Sequence, residues 1–177
     1  MGYAISWLAV RNTPEESVLA ALGLEKTGES EELPESKWCS KRVNEWTLVW
    51  FNSFQPGKLR SAVPKLRGEV VLFDVEEHVM FASAADYKDG RLSWRIAHDA
   101  QETPDHLVVE GNPPESLKRI RAEQLARMTE DPEVDFVIEI PVRIAQEIVG
   151  FRYDGESEGN FDVLRVSSGT KPKWKFW

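Results

Sequence analysis

Residues 69–97 constrain the fold more than any other part of the chain, because β-forming residues fill almost the whole stretch. The pattern predicts strands at 70–75, 78–87 and 91–97, and Asp89-Gly90 between the last two is typical of a hairpin turn. Consecutive hairpins cannot lie in a purely parallel wound sheet, since parallel neighbours need long crossover connections. The sequence therefore predicts an α+β fold with a mainly antiparallel, mixed sheet and three to four helices, mostly on one face.

The remaining elements follow from periodicity and from helix start and stop signals. Further strands are expected at 3–10, 46–51, 107–110, 134–140 and 161–166, and the alternation across 134–140 is the clearest half-buried strand pattern in the chain. Helices are expected after the capping residues Thr13 and Asn112, from about Gly57 to Leu66, and from Pro141. Residues 25–45, rich in Glu, Ser and Lys, are predicted to form a long loop.

Length and composition predict one domain over residues 1–168 and a basic, aromatic tail over residues 169–177. The chain has 177 residues, of which 41% are hydrophobic, enough for one core, and no linker divides it. No cation precedes the apolar residues of the N-terminus, and no stretch approaches the roughly 20 apolar residues that a membrane helix needs. With the lone Cys39 leaving no disulfide framework, we expect a cytoplasmic protein without stable membrane insertion.

The charge balance favours a basic partner. The net charge is −8, and because three lysines lie in the last seven residues, residues 1–170 carry −11. A body this acidic repels phosphate backbones, so binding to double-stranded nucleic acid is not expected. The alternative is that the acidity serves only solubility.

The three histidines fall within residues 78–106 and carry the enzymatic alternative. If the hairpin pairs residues whose numbers sum to about 179, His78 and His98 lie at one end of it and could share a metal ion. That reading is a metal-assisted or acid-base hydrolase centred on His78, His98 and Asp99, with Glu77 as the general base. The competing interpretation is that Asp99 caps a turn through its side chain. No motif predicts a cofactor, so none is expected.

Seven tryptophans are the strongest compositional signal. Those on predicted strands are assigned to the core, whereas Trp38 falls in the predicted loop beside Cys39. Neighbouring lysines are a setting that lowers a thiol pKa, but the sequence places no base beside Cys39, so an incidental cysteine is expected rather than a catalytic one. Exposed tryptophan is typical of interaction hot spots. The residues predicted to bind a partner are Trp38, Lys173, Trp174, Lys175, Phe176 and Trp177. The tail fits an acidic groove, single-stranded nucleic acid or an anionic membrane surface, or packs back on the acidic body.

Several segments resemble those of small uncharacterised bacterial proteins. They are 3–10, 75–80, 89–94, His98-Asp99 and 171–177. This resemblance implies no activity. The chain is also similar in type, though not in sequence, to the immunity proteins of bacterial toxin systems, which are often small, acidic and cytoplasmic. The favoured interpretation is a protein-binding module, for which the similarity implies an immunity-type role, with the hydrolase as the alternative.

Overall fold

A computed structural model describes residues 2–156 and 158–168 and shows one nine-stranded antiparallel sheet with four α-helices. The strands are β1 Ala4–Arg11, β2 Leu24–Glu31, β3 Trp38–Val43, β4 Trp46–Phe51, β5 Glu69–Glu76, β6 Phe81–Lys88, β7 Arg91–Asp99, β8 Val108–Gly111 and β9 Phe161–Val166. The helices are α1 Glu15–Leu22, α2 Pro56–Arg60, α3 Ser116–Glu130 and α4 Glu139–Val149, with short 3-10 turns at Val63–Lys65 and Glu77–Val79. The predicted α+β class is confirmed.

The sheet order is β2-β9-β3-β4-β1-β5-β6-β7-β8, and every neighbouring pair is antiparallel. Strand β9 lies between β2 and β3, although it comes last in the sequence. The central strand β1 is apolar on both faces, as its sequence predicted. Each face of the sheet therefore supports its own hydrophobic core.

The longer helices α3 and α4 cover one face, where Ile120 and Ile144 pack on a core that contains Trp7 and Phe73. The shorter helices α1 and α2 cover the opposite face. Most helical residues thus share one face, while the other is covered by the two shorter helices. Among the described residues, no helix is both long enough and apolar enough to cross a bilayer.

Three local predictions are wrong. Residues 25–45 form β2 and β3 rather than a long loop. The stretch 134–140 is a turn leading into α4, which begins at Glu139, because Asp135 Oδ1 accepts hydrogen bonds from the backbone N–H groups of Val137 and Ile138 instead of pointing outward from a strand. Helices α1 and α3 have no side-chain cap, and the Thr13 hydroxyl donates to the carbonyl of Arg11.

Gly111 at the end of β8 allows a close approach of two backbones. Its φ is +72°, and a Cβ at this position would lie 2.1 Å from the Ser93 carbonyl oxygen. Gly28 in β2 also has a positive φ, of +90°, but a Cβ there would meet nothing within 4 Å. A side chain at Gly111 would meet both backbone strain and steric overlap, whereas a side chain at Gly28 would meet backbone strain alone.

We expect Gly111→Ala to lower the free energy of unfolding by about 2 kcal/mol, because β8 must shift away from β7. The matched change Gly28→Ala carries only the strain of a left-handed alanine, about 1 kcal/mol. Chemical denaturation measures both. Equal losses of unfolding free energy in the two variants would show that the contact with Ser93 adds nothing to the strain of a left-handed alanine.

Candidate binding cleft

One cavity, of about 520 Å³, opens between the loop 31–37, the end of β4 and the segment 150–161. Five aromatic rings line it: Tyr3, Trp50, Phe151, Tyr153 and Phe161. Four exposed carboxylates stand around it: Glu32, Glu35, Asp154 and Glu156. No lysine, arginine or histidine is among its described lining residues. The cavity is aromatic inside and acidic at its rim.

The aromatic floor forms because α4 ends directly beside it. Gly150 ends α4 in a left-handed conformation, as predicted, and the next residue, Phe151, turns into the core. Its ring packs edge-on against Trp50, with 6.2 Å between ring centres, and against Phe161, at 6.3 Å. Strands β4 and β9 and the end of α4 thus contribute one ring each to a packed surface.

The acidic lip is held in place by hydrogen bonds of the loop 31–37. The Glu31 carboxylate accepts from the backbone N–H of Ser36 at 2.9 Å and from its hydroxyl at 2.8 Å. The Asn52 side-chain amide, at the end of β4, donates to the Glu35 carbonyl at 2.9 Å. These bonds fix the backbone that carries Glu32 and Glu35, so their charges stand at the rim without rearrangement.

Glu77 positions the tyrosine wall. Its two carboxylate oxygens accept from the Tyr153 hydroxyl at 2.7 Å and from the backbone N–H of Tyr3 at 2.8 Å, and the two tyrosine rings meet edge-on. Burial, together with the Glu77 carboxylate, raises the pKa of the Tyr153 phenol, which stays neutral. Because both Glu77 oxygens are engaged, its described contacts are structural rather than those of a poised general base.

A second cavity, of about 490 Å³, lies on the other side of Tyr153 and Asp154, which line both. It adds the carboxylates of Glu77, Asp135 and Glu139, and His78. We call the two cavities together the cleft. Arg152 neutralises part of this charge through paired hydrogen bonds to Glu139 and to Asp154.

The rim carboxylates of the first cavity keep most of their charge unpaired. Glu32, Glu35 and Glu156 make no ion pair with any described residue. The indole N–H of Trp50 is buried and meets no hydrogen-bond acceptor in the described part of the chain. The first cavity therefore has negative charge at its rim and aromatic rings inside.

His98 is a buried ionic group, with no exposed side-chain surface, rather than an open catalytic residue. Its Nδ1 lies 2.6 Å from the His106 carbonyl oxygen, and its Nε2 lies 2.8 Å from Asp135 Oδ2. Both partners are acceptors, so both ring nitrogens carry protons. Burial works against this charge, but the hydrogen bonds to Asp135 and His106 outweigh it and raise the pKa of His98, while that of Asp135 is lowered despite its own burial.

The other members of the predicted hydrolase site have separate partners. The exposed His78 lies in the 3-10 turn before β6, where its Nδ1 contacts Glu76 at 2.6 Å. His78 lines the second cavity. His98 does not line it: its side chain is fully buried and contacts Asp135, which is one of the lining residues. Asp99 Oδ1 accepts from the backbone N–H of Gln101, the turn-capping role predicted as the alternative. Among residues 2–156 and 158–168, no three His, Cys, Asp or Glu side chains are grouped to hold a metal ion.

Trp38 is not a surface anchor, and the prediction that it is exposed is wrong. It lies in β3 with 7% of its surface exposed and stacks on Phe51, with 4.1 Å between ring centres. Its neighbour Cys39 is buried on the same strand, and burial together with Glu31 raises the thiol pKa, the reverse of the effect that neighbouring lysines would have. The other predicted binding residues, Lys173, Trp174, Lys175, Phe176 and Trp177, lie outside the described residues.

Sequence reasoning missed the cleft because its residues come from distant segments. The available signal was the run 151–156, in which aromatic residues alternate with charged ones directly after a helix stop. Comparison with protein-family models, with curated proteins and with solved structures gave no match to this chain. The resemblance to small bacterial proteins stays a prediction, and functional inference depends on the geometry of the cleft.

Proposed function

We propose that this protein is a binding module that docks a basic protein partner and receives one of the partner's arginine or lysine side chains in the cleft. The observation that carries the proposal is the aromatic cavity with three unpaired rim carboxylates, Glu32, Glu35 and Glu156, and no cation in its described lining. The faces of aromatic rings attract cations, and nearby carboxylates add Coulomb attraction. Both features select for positive charge.

Arginine is the better fit of the two side chains. Its guanidinium is planar, weakly hydrated and able to stack on rings while it donates to carboxylates. One ring of the cavity already attracts a cation of the chain itself, since Lys41 Nζ lies 4.7 Å from the centre of the Phe161 ring.

An immunity-type role in the cytoplasm is the setting we infer for such a module. The similarity in type to toxin immunity proteins supports it, together with the acidic charge of the whole chain, because an inhibitor of a basic toxin gains association rate from opposite charge.

The cleft predicts salt-sensitive binding of arginine-rich peptides. In fluorescence anisotropy with a labelled peptide, the double change Glu32→Gln and Glu35→Gln is expected to weaken affinity about tenfold, since each lost charge contact contributes roughly 0.5–1 kcal/mol. Raising the ionic strength is expected to reduce the affinity of the unchanged protein as well.

The matched control is Glu130→Gln with Glu133→Gln, which removes the same charge from exposed positions outside the cleft. It is expected to leave the peptide affinity within about twofold. Equal weakening in both double variants would assign the binding to net charge, and the cleft would then have no special role.

A further inference from the structure

Four exposed cations cluster at the end of the sheet where the Val63–Lys65 turn meets the β6–β7 hairpin. We call Lys65, Arg67, Lys88 and Arg91 the basic patch. None of the four forms an ion pair with a described residue. Glu69, which pairs with Lys88 in the strand register, gives its carboxylate to Arg11 instead, at 3.0 Å. The four cations thus have no ion pair in the described chain, although the exposed Asp89 lies on the same hairpin tip.

The backbone beneath the patch is firmly connected. The N–H of Gly68 donates to Asp89 Oδ1 at 3.0 Å, and the N–H of Asp89 donates to the Gly68 carbonyl at 2.9 Å. A Cβ at Gly90 would lie 3.6 Å from the Cα of Pro64, so the hairpin tip is in contact with the turn. These links hold like charges near one another before any partner arrives.

The patch is separate from the cleft. Strand β5 begins at Glu69, beside the patch, and ends at Glu76, next to the cleft residue Glu77. Its eight residues span about 26 Å at roughly 3.3 Å per residue. A group bound at one end therefore does not contact the other.

We propose that the basic patch docks a short acidic segment of a partner protein. Lysine and arginine recognise carboxylates, and each arginine can bind one in a bidentate manner. The length of the occupant follows from charge: the rest of the chain is more acidic than its net −8, so a long polyanion extending past the patch meets repulsion. A short run of Asp and Glu pairs with the four cations and does not extend far enough to be repelled by the acidic remainder of the chain.

The test is fluorescence anisotropy of a short labelled poly-glutamate peptide with the full chain. We expect binding at about 50 mM salt that weakens several-fold at about 300 mM, as the Debye length shortens. The double change Lys65→Glu and Arg67→Glu is expected to reduce the affinity at least tenfold. The control Lys118→Glu with Arg121→Glu changes the net charge equally at exposed positions of α3 and is expected to leave it within about twofold.

Three outcomes would overturn the proposal. They are equal loss in the patch and control variants, tighter binding of an oligonucleotide of the same charge, or tighter binding of anionic lipid vesicles. Circular dichroism of each variant establishes that it is folded. The readout is independent of the cleft, because Glu32→Gln with Glu35→Gln is expected to leave poly-glutamate binding intact even if arginine-peptide binding fails.

Discussion

Replacing His98 with alanine is expected to lower the free energy of unfolding by about 3–5 kcal/mol, because truncating one partner of a buried ion pair leaves the other charge uncompensated. The change removes both hydrogen bonds of the imidazole and leaves Asp135 Oδ2 and the His106 carbonyl without the donors that His98 supplies. Chemical denaturation near pH 6 measures the loss. His78→Ala removes the same side chain from an exposed turn and is expected to cost less than about 0.5 kcal/mol.

The stabilisation by His98 also has a defined pH window. The folded pKa of His98 is raised above its unfolded value of 6.5, so its contribution is present below that pH and is lost as the pH rises through the folded pKa. The pKa of Asp135 is lowered from 3.8, so its contribution is lost as the pH falls through its folded value. The difference between the unchanged protein and His98→Ala should peak between these limits. A difference independent of pH would contradict the ion pair.

Asp74→Asn is expected to stabilise the protein by about 3 kcal/mol at pH 8 and to have little effect near pH 4. Asp74 lies in the middle of the sheet, and burial raises its pKa from 3.8 to about 6, against the opposing effect of the Ser6 hydrogen bond. An acid whose folded pKa is raised loses folded-state stability as the pH rises through this interval. Asparagine keeps an oxygen acceptor for the Ser6 hydroxyl and removes the buried charge.

Denaturation of Asp74→Asn and of the unchanged protein across pH 4 to 8 checks this prediction. The control Asp131→Asn replaces an exposed carboxylate and is expected to shift stability by less than about 0.5 kcal/mol at any of these values. Destabilisation of Asp74→Asn at pH 8 would show that the ionised carboxylate is required by its surroundings, for instance by Arg60 or Arg95.

The hairpin through Asp89-Gly90 was predictable because turn chemistry is local. Its predicted register, in which the numbers of paired residues sum to about 179, is wrong by one residue. Phe81 faces Asp99 and Ala82 faces His98, so the numbers in each of these pairs sum to 180. An irregularity between Asp86 and Tyr87 adds the extra residue on β7. Bulges of this kind depend on how the sheet twists, and no residue type near Asp86 signals one.

Strands β2 and β3 were missed because their sequences do not alternate. Strand β2 lies at the edge of the sheet, is mostly polar and shifts register between Lys26 and Ser30. Strand β3 buries Cys39, Ser40 and Lys41 in succession, and Ser40 donates to Glu15 of α1. Polar residues become acceptable inside a sheet only when a distant partner satisfies them, and no local pattern reveals that partner.

The stretch 134–140 was predicted to be a strand because apolar and acidic residues alternate in it, but it forms a turn and the start of α4. Val137, Ile138 and Ile140 are buried, but Asp135 points inward to His98. A carboxylate in an alternating pattern is ordinarily assigned to solvent. The ion pair with a histidine 37 residues away reverses that assignment, and the cleft was unpredictable for the same reason.

The position of β9 between β2 and β3 predicts when the cleft is completed during folding. Its contacts with β2 join residues about 140 positions apart, and such distant closures form slowly because chain entropy opposes them. Phe161, the first residue of β9, also lines the cleft. A chain in which β9 has not yet docked leaves β2 unpaired, because β9 joins β2 to β3, and leaves the cleft without the Phe161 ring. The cleft is therefore expected to be complete only in the last, slow phase of folding.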